Sequence, residues 1–320
     1  MLEKPGKDNR FIDAWRPISL INVDTKICSK VLSNRLINIL PSLISPDQAA
    51  FVAGRNIDEP IRMISDIMEY IRDINESSLL FAADFEKAFD SIEHNFIYAT
   101  LTHFGFGEKF IKWIKILLSD NLSCITNNGK ATDFFSVKRG TKQGDPISPY
   151  IFILVIEIMA TMVRQCESIK GVNINGLEKK LVLFADDTTF FLKDTLSLTK
   201  VLEVLDHFSN FSSLKLNKKK SEAGWLGNQS LDISSQFSDI KWINFHQTGI
   251  KILGVYISYN NKFSYDNNFK RIITNFQTML SIWKSRNLTV FGKIQILRSL
   301  AIPKLLYVCR FFQSTWILFI

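Results

Sequence analysis

The stretch Leu181-Val-Leu-Phe-Ala-Asp-Asp-Thr-Thr-Phe-Phe-Leu192 holds two runs of β-prone residues on either side of Ala185, Asp186 and Asp187. Strands disfavour aspartate, whereas turns accept it readily. The sequence therefore predicts a β-hairpin with two adjacent carboxylates at its tip. Taken alone, an Asp-Asp pair is more often an ordinary surface turn, so it indicates a functional site only in combination with other motifs of the chain.

A third carboxylate follows another predicted strand. Leu79 to Ala83 is a continuous apolar run that leads directly into Asp84. If this strand pairs with the hairpin, the three carboxylates converge, although the residues alone do not establish the pairing. Convergence is costly without cations, because carboxylates in a partly buried site repel one another. Two Mg²⁺ ions would relieve the repulsion, since Mg²⁺ is held by a few carboxylates together with substrate phosphates.

The remaining pattern mixes strands and helices. Apolar residues at helical spacing predict helices over about Pro60 to Ile74 and Ser197 to Phe211, and Ser148-Pro149 is a strong helix start. Asp90 and Glu93 are predicted to cap a helix, and Ile252 to Ile257 is predicted to be a strand. A last helix, from about Thr289 to Ala301, is predicted to stop before Pro303. These elements indicate an α+β fold.

Charge is concentrated at the C-terminal end. The chain has a net charge of +8, and the segment from Lys251 to Ile320 holds ten basic residues but one acid, Asp266. A basic lobe indicates a polyanionic partner, although a solvated basic face fits the composition equally well. The N-terminus does not read as a secretory signal, and the apolar run Tyr150 to Val163 is too short to span a bilayer. We expect an intracellular protein, nuclear or cytoplasmic, that does not bind a membrane.

Several motifs, in order, identify a resemblance. Phe81-Ala-Ala-Asp-Phe-Glu-Lys-Ala-Phe-Asp90 resembles the first catalytic motif of reverse transcriptases of LINE-type (non-LTR) retrotransposons. Their substrate-binding loop is similar to Arg139-Gly-Thr-Lys-Gln-Gly-Asp-Pro-Ile-Ser-Pro149, and their metal-binding hairpin to Phe184-Ala-Asp-Asp187. Five further segments are similar to segments of the same family: Arg16-Pro-Ile-Ser-Leu20, Gln48-Ala-Ala-Phe51 with Gly54-Arg55, Leu216-Asn217 with Lys220-Ser221-Glu222, Lys251-Ile-Leu-Gly-Val255, and Leu288-Thr-Val-Phe-Gly-Lys293.

The resemblance implies a right-hand polymerase fold of fingers, palm and thumb. It places the fingers at residues 1–76 and 108–137, and the palm, an antiparallel sheet flanked by helices, at 77–107 and 138–258. A partial helical thumb would occupy 259–320. The chain thus resembles a family member truncated at both ends. It carries no endonuclease, so target cleavage would come from another domain or protein.

The resemblance also implies the site. Asp84, Asp186 and Asp187 would be catalytic and, with the backbone carbonyl of Phe85, would hold two Mg²⁺ ions, for which Mn²⁺ is a substitute. Nucleotide-binding residues would be Phe89, Gln143, Gly144, Arg16 and Lys220. Residues for the nucleic acid would be Lys4, Lys7, Lys251, Gly254, Lys284, Arg286 and Lys293. Phe89 would exclude a 2′-hydroxyl, although it also suits an apolar core, and Lys220 would contact pyrophosphate or be a solvated lysine.

The implied function is RNA-directed DNA synthesis, with an RNA template, a DNA primer or RNA–DNA duplex, and deoxynucleotides as partners. Two alternatives remain. One is a related RNA-directed RNA polymerase or intron maturase, which Phe89 and Ala185 disfavour, because RNA polymerases with this palm tend to have a polar residue and a glycine there. The other is a catalytically inactive relic that only binds nucleic acid.

Overall fold

The protein is described here by a computed structural model covering residues 2–4, 8–11, 14–119, 121–227, 240, 242–246 and 248–309. Its helices in this part of the chain are α1 (Val23–Ile37), α2 (Leu40–Leu43), α3 (Asp58–Asp73), α4 (Ala88–Ser91), α5 (His94–His103), α6 (Glu108–Leu118), α7 (Ser148–Gln165), α8 (Thr195–Ser212), α9 (Asn261–Ser264), α10 (Arg271–Lys284), α11 (Val290–Ile296) and α12 (Ile302–Cys309). Two π-helical turns, Tyr265–Lys270 and Leu297–Ala301, join helices near the C-terminal end.

Strands in the same described residues are mostly short. They are β1 (Leu2–Glu3), β2 (Trp15–Arg16), β3 (Ser77–Ala83), β4 (Leu122–Ser123), β5 (Thr126–Asn127), β6 (Lys130–Ala131), β7 (Phe135–Ser136), β8 (Val172–Ile174), β9 (Leu177–Lys179), β10 (Leu181–Phe184), β11 (Asp187–Leu192), β12 (Glu222–Gly227), β13 (Asn244–His246), β14 (Ile250–Ile252) and β15 (Val255–Ile257).

One five-stranded sheet organises the molecule. Its order is β10-β11-β3-β12-β13, antiparallel except for the parallel pair β12 and β13. The predicted hairpin and the predicted strand before Asp84 are therefore confirmed, and they are neighbours. All five strands fall within the residues predicted for the palm, while the division into fingers, palm and thumb stays a prediction.

Both faces of the sheet are covered, which explains why β3 is apolar from Leu79 to Ala83. Side chains alternate between faces along a strand. Phe81 accordingly packs in a large core with α5, α7 and α8, whereas its neighbour Leu80 packs in a second core with α3. The second core is filled by four isoleucines of α3 and by the β14–β15 hairpin. Each isoleucine side chain buried in this way stabilises the fold by about 1.5–3 kcal/mol.

Helix α7 is the long apolar helix expected from Ser148-Pro149. Among the described helices it is the one with the length and apolarity to cross a membrane, yet 61% of it is buried inside the protein. Its packing against the sheet makes it a core helix. The predicted helices over Pro60 to Ile74 and Ser197 to Phe211 correspond to α3 and α8, and Asp194 caps α8 by accepting a hydrogen bond from the Ser197 N–H at 2.7 Å.

Three predictions about elements were wrong. Asp90 does not cap a helix: it lies inside the short helix α4, and its carboxylate accepts hydrogen bonds from Gln143 instead. Ile252 to Ile257 is not one strand but parts of β14 and β15, because Leu253 and Gly254 both adopt positive φ and reverse the chain. Pro303 does not end the last helical run: the π-helical turn Leu297–Ala301 leads directly into α12, and Pro303 lies in the first turn of α12.

Candidate active site

The three predicted carboxylates meet at one end of the sheet. In the β11–β3 pair, Thr188 lies opposite Ala83, so the next residues at that end are Asp187 and Asp84. Phe184 lies opposite Asp187 in the β10–β11 pair, which leaves Ala185 and Asp186 as a two-residue turn. Residues about a hundred positions apart in the sequence are thus brought together by strand pairing.

Asp84 is held by residues that follow α8. The Asn217 amide Nδ2 donates to Asp84 Oδ2 at 2.9 Å, and the Lys220 ammonium Nζ donates to the same oxygen at 3.3 Å. The Asn217 backbone N–H donates to the Asp84 carbonyl at 2.7 Å, and the Asp84 N–H donates to Ser221 Oγ at 3.2 Å. Both the backbone and the side chain of Asp84 are therefore fixed by one loop.

The electrostatics of the site favour cations. Desolvation by burial raises the pKa of Asp186, and repulsion from Asp84 raises it further, while Lys220 and Arg16 oppose the rise. The pKa of Asp187 is raised to about 6 by desolvation first, then by repulsion from Asp186 and Asp84. Carboxylates that resist ionisation because they repel one another are stabilised by a bound cation.

The donor set fits divalent cations, but not as a ready-made site. Within the described part of the chain, no three His, Cys, Asp or Glu side chains form a finished metal cluster. Asp84 instead makes an ion pair with Lys220. Binding of a divalent cation by all three aspartates would thus require their carboxylates to reorient, and the cation would compete with Lys220 for Asp84.

The predicted substrate loop is joined to the segment after Asp84. The Gly140 N–H donates to the Ile92 carbonyl and the Thr141 N–H to the Phe89 carbonyl, each at 2.7 Å. The Gln143 amide Nε2 donates to both oxygens of Asp90, at 3.2 and 3.1 Å. Any movement of this loop is therefore transmitted to the turn that carries Phe89.

Phe89 is half-buried and stacks on Phe152 of α7, with ring centroids 4.1 Å apart and 17° between the planes. The Phe152 side chain is fully buried in the large core. A ring supported in this way has little freedom to move, so it can act as a fixed steric limit on whatever lies above it.

The family of the chain follows from its sequence match. A family model described as reverse transcriptase (RNA-dependent DNA polymerase) matches residues 2–257, which is most of the chain. This chain belongs to the reverse transcriptase family. The match includes the strands, the hairpin and the substrate loop described above.

Similar proteins come from non-LTR retrotransposons. The transposon TX1 149 kDa protein of Xenopus laevis is 30% identical over 312 residues, covering 96% of this chain and 23% of that protein. The R2DM retrotransposable element polyprotein of Drosophila melanogaster is 27% identical over 206 residues, covering 64% of this chain and 19% of the polyprotein. The chain thus spans a quarter or less of the length of these two relatives.

Solved structures with a similar fold include telomerases. The telomerase of Candida albicans, determined with a fragment of telomeric RNA, superposes with a TM-score of 0.51 at 11% identity, covering 89% of this chain and 47% of that one. Apo telomerase of Candida tropicalis without its C-terminal domain superposes with a TM-score of 0.51 at 13% identity, covering 72% of this chain and 43% of that one. At such identities the likeness concerns the fold alone, and it confirms the right-hand polymerase architecture.

Arg16 and Gly144 were predicted to bind nucleotide and the Phe85 carbonyl to bind metal, and the structure gives the position of each. Arg16, on β2, is exposed and near enough to lower the pKa of Asp186. Phe85 is buried and pairs with Leu216 in an isolated antiparallel bridge, which fixes the peptide after Asp84. Gly144 is exposed and approaches the Ser19 carbonyl, from which an added Cβ would lie 3.2 Å.

The residues predicted to contact nucleic acid are spread along the described chain, and Lys7 lies outside it. Lys4 follows β1, and its N–H donates to the Ala14 carbonyl at 2.7 Å. Exposed residues of the C-terminal half are Lys251 on β14, Gly254 in the β14–β15 turn, Lys284 at the end of α10, Arg286 beside Trp283, and Lys293 in α11. The structure therefore leaves these positions open to a polyanion.

Two contacts of the site escaped sequence reasoning. Asp90 was assigned to a helix cap but accepts hydrogen bonds from Gln143, and burial raises its pKa. Gln48 was assigned only to the fingers, yet its side chain contacts the carboxylate turn. The motifs containing Gln48 and Asp90 were recognisable, but no local pattern indicates a partner so far along the chain.

The pKa of Asp187 predicts how stability depends on pH. Although solvent reaches Asp187 at the hairpin tip, desolvation and repulsion raise its pKa from an ordinary value of 3.8 to about 6. Its contribution to stability is therefore fully present below about pH 4 and is lost as the pH rises through about 6. In EDTA, we expect the Tm of Asp187→Asn relative to wild type to increase between those pH values, as measured by calorimetry.

Asp206→Asn is the matched control, because Asp206 is exposed on α8, away from the hairpin. Its Tm relative to wild type should show no comparable rise over the same pH range. Adding Mg²⁺ at pH 7 should reduce the advantage of Asp187→Asn, because the ion stabilises the ionised carboxylates. A Tm difference for Asp187→Asn that does not change with pH would contradict the assigned electrostatics.

Proposed function

We propose that this chain is an RNA-directed DNA polymerase that extends the 3′-hydroxyl of a primer with deoxynucleotides on an RNA template. The observation that carries the proposal is the convergence of Asp84, Asp186 and Asp187 at one end of the sheet. Membership of the reverse transcriptase family supports it.

The carboxylates are proposed to hold two Mg²⁺ ions, with Mn²⁺ as a substitute and the Phe85 carbonyl as a further ligand. When bound, such a pair activates the attacking hydroxyl and stabilises the leaving pyrophosphate. The protein's own part is to fix the carboxylates: the sheet aligns Asp84 with Asp187, and Asn217 orients Asp84. Arg16 and Lys220 bring positive charge to the same end of the sheet, where a triphosphate would lie.

Lys220 is proposed to have two roles in sequence. In the absence of nucleotide its ammonium is paired with Asp84, at 3.3 Å. If a cation were bound by the Asp84 carboxylate, the Lys220 ammonium would be displaced and could pair with the pyrophosphate. Its side chain is more than half exposed, so this movement meets no packing barrier.

The template and duplex are proposed to follow the exposed basic residues of the C-terminal segment together with Lys4. Such contacts with phosphates make binding strongly dependent on salt. Target cleavage is proposed to come from another domain or protein.

The test is primer extension on an RNA template with Mg²⁺ and deoxynucleotides, with binding of the primer–template duplex measured separately. We expect extension that EDTA abolishes and that Mg²⁺ or Mn²⁺ restores. Duplex binding without extension by the well-folded chain would instead indicate an inactive nucleic-acid-binding relic. A preference for ribonucleotides over deoxynucleotides would indicate an RNA polymerase.

Phe89 predicts the choice of sugar. Its ring is held by Phe152 and would stand where a 2′-hydroxyl needs space. In Phe89→Val the side chain is shorter, and we expect the preference for deoxynucleotides over ribonucleotides to fall by about 10- to 100-fold in kcat/KM, the range that small steric differences produce. Single-nucleotide incorporation with matched deoxy- and ribonucleotides measures this.

Phe211→Ala is the control, because Phe211 is an exposed aromatic residue at the end of α8. That variant should keep the wild-type preference. If Phe89→Val extends with deoxynucleotides at the wild-type rate and with unchanged sugar preference, Phe89 is a core residue and not a steric gate.

A further inference from the structure

A segment outside the sheet continues it beyond β10. The Ala49 N–H donates to the Leu183 carbonyl at 3.0 Å, and the Leu183 N–H donates to the Asp47 carbonyl at 2.8 Å. Gln48 forms a parallel bridge with Leu183 between these bonds. The segment therefore covers the outer edge of the strand that leads into the carboxylate turn.

The Gln48 side chain binds the turn itself. Its Oε1 accepts hydrogen bonds from the Ala185 N–H at 3.0 Å and the Ala50 N–H at 2.9 Å. Its Nε2 donates to the Ala185 carbonyl at 3.3 Å. One amide thus contacts both polar groups of the residue immediately before Asp186, and no side chain without both a donor and an acceptor can do this.

Ala185 needs such support. Its φ is 57°, in the left-handed region that a non-glycine residue rarely adopts and that costs free energy unless the surroundings enforce it. Ala185 and Gln48 are both buried, so unpaired polar groups here would not be compensated by water. The amide of Gln48 therefore stabilises a strained turn whose exact shape decides where the Asp186 carboxylate lies.

The backbone of Gln48 and of the loop before it is bound by the Arg55 side chain. The Arg55 guanidinium donates to the carbonyls of Ser45 at 2.5 Å, Gln48 at 2.6 Å and Ile44 at 2.9 Å. Because three backbone carbonyls within residues 44–48 are held by one planar group, the loop before Gln48 has little freedom. The support of the turn is thus rigid, as the positioning of a reacting group requires.

We propose that Gln48 is a positioning residue, which sets the shape of the Ala185–Asp186 turn and thereby the alignment of Asp186 with Asp84. The inference rests on the proposed polymerase function for its catalytic consequence. Its structural part, the support of the turn by the Gln48 amide, can be measured without any activity.

Gln48→Met is the test variant, because methionine has a similar length and volume but neither hydrogen-bond donor nor strong acceptor. The control is Ser78→Ala, which removes another buried side-chain bond to the same sheet: Ser78 Oγ donates to the Leu192 carbonyl at 2.8 Å, at the opposite end of β11. Both variants lose buried side-chain hydrogen bonds, three in Gln48→Met and one in Ser78→Ala, but only Gln48→Met affects the turn.

Hydrogen exchange is the readout that needs no activity. We expect peptides covering residues 181–192 to exchange faster in Gln48→Met near Ala185 than in wild type or in Ser78→Ala. In primer extension, kcat of Gln48→Met should fall by about 10- to 100-fold, the size of effect that a small misplacement of a reacting group produces. The affinity for the primer–template duplex should stay within about twofold of wild type, because no duplex contact is removed.

Each other outcome overturns the proposal. Unchanged exchange at the turn in Gln48→Met would exclude support of the turn, and an unchanged kcat in a variant with faster exchange would exclude a role in positioning. An equal loss of kcat in Ser78→Ala would indicate general destabilisation of the sheet. Failure of well-folded wild type to extend would reject the proposed function. In that case the affinity for Mn²⁺ is measured instead of kcat. This affinity should weaken several-fold in Gln48→Met but not in Ser78→Ala, and equal affinities in the two variants would overturn the inference.

Discussion

Asp186→Asn is expected to lower kcat of primer extension by about 10³-fold or more, equivalent to about 4 kcal/mol of transition-state stabilisation. Asparagine keeps the volume of aspartate but removes the negative charge that we propose binds the cations. The same substitution should leave the fold intact and raise the Tm in EDTA, since burial and repulsion from Asp84 disfavour the ionised Asp186 carboxylate. Opposite effects on activity and stability are characteristic of a functional charge.

Asp206→Asn again provides the control, as it removes an exposed carboxylate from α8 and should change neither kcat nor Tm noticeably. Extension kinetics at saturating duplex and deoxynucleotide, combined with calorimetry in EDTA, measure both effects. Robust synthesis by Asp186→Asn would reject the site. A large fall in Tm would mean that Asp186 stabilises the fold, so that the loss of activity could not be assigned to chemistry.

Gly140→Ala is expected to disrupt the substrate loop. Gly140 has φ of +83°, and a Cβ added there would lie 2.5 Å from the Asp90 carbonyl oxygen and 2.6 Å from its carbon. Those atoms belong to backbone, which cannot move aside without breaking the Gly140–Ile92 hydrogen bond. We expect a loss of stability of about 2–4 kcal/mol from strain and overlap together. Extension should fall by at least about 100-fold, because Phe89 and Gln143 lie on the two connected segments.

Gly105→Ala separates strain from overlap. Gly105 has φ of +77°, similar to that of Gly140, but a Cβ there would meet nothing within 4 Å. This variant should lose about 1 kcal/mol or slightly more from the unfavourable backbone conformation alone and should retain extension. Thermal unfolding and extension measured on both variants give the comparison. Equal effects of the two substitutions would show that the close approach of Gly140 to Asp90 is unimportant.

Local sequence patterns predicted much of the fold. The hairpin was predictable because two β-prone runs flank residues that favour turns, and α3 because its isoleucines recur at helical spacing. A helical conformation by itself says nothing about packing, since α10 is a regular helix in which no residue is buried. Periodicity gives the conformation of a segment, whereas burial depends on what lies beside it.

The wrong predictions of local elements have a common cause. Asp90 and Glu93 have the spacing of a helix cap, but the Asp90 carboxylate accepts a hydrogen bond from Gln143, which is more than fifty residues away. Proline commonly ends a helix, yet Pro303 lies just after the junction of the π-helical turn Leu297–Ala301 with α12, and the helical run continues through it. In each case the local preference was real, and a contact or a position that the local sequence does not encode decided the outcome.

The sequence by itself determined the chemical content of this reverse transcriptase family member: three aspartates, the turn residues that expose two of them, and the strands that carry them. Only the tertiary structure decided that β3 lies beside β11, that Asn217 and Lys220 hold Asp84, and that Gln48 supports Ala185 from 137 positions away. The physical reason is the distance along the sequence over which each kind of interaction acts. Turn chemistry and periodicity act within a few residues, whereas strand order and side-chain contacts depend on which edges and faces remain free once both cores have packed.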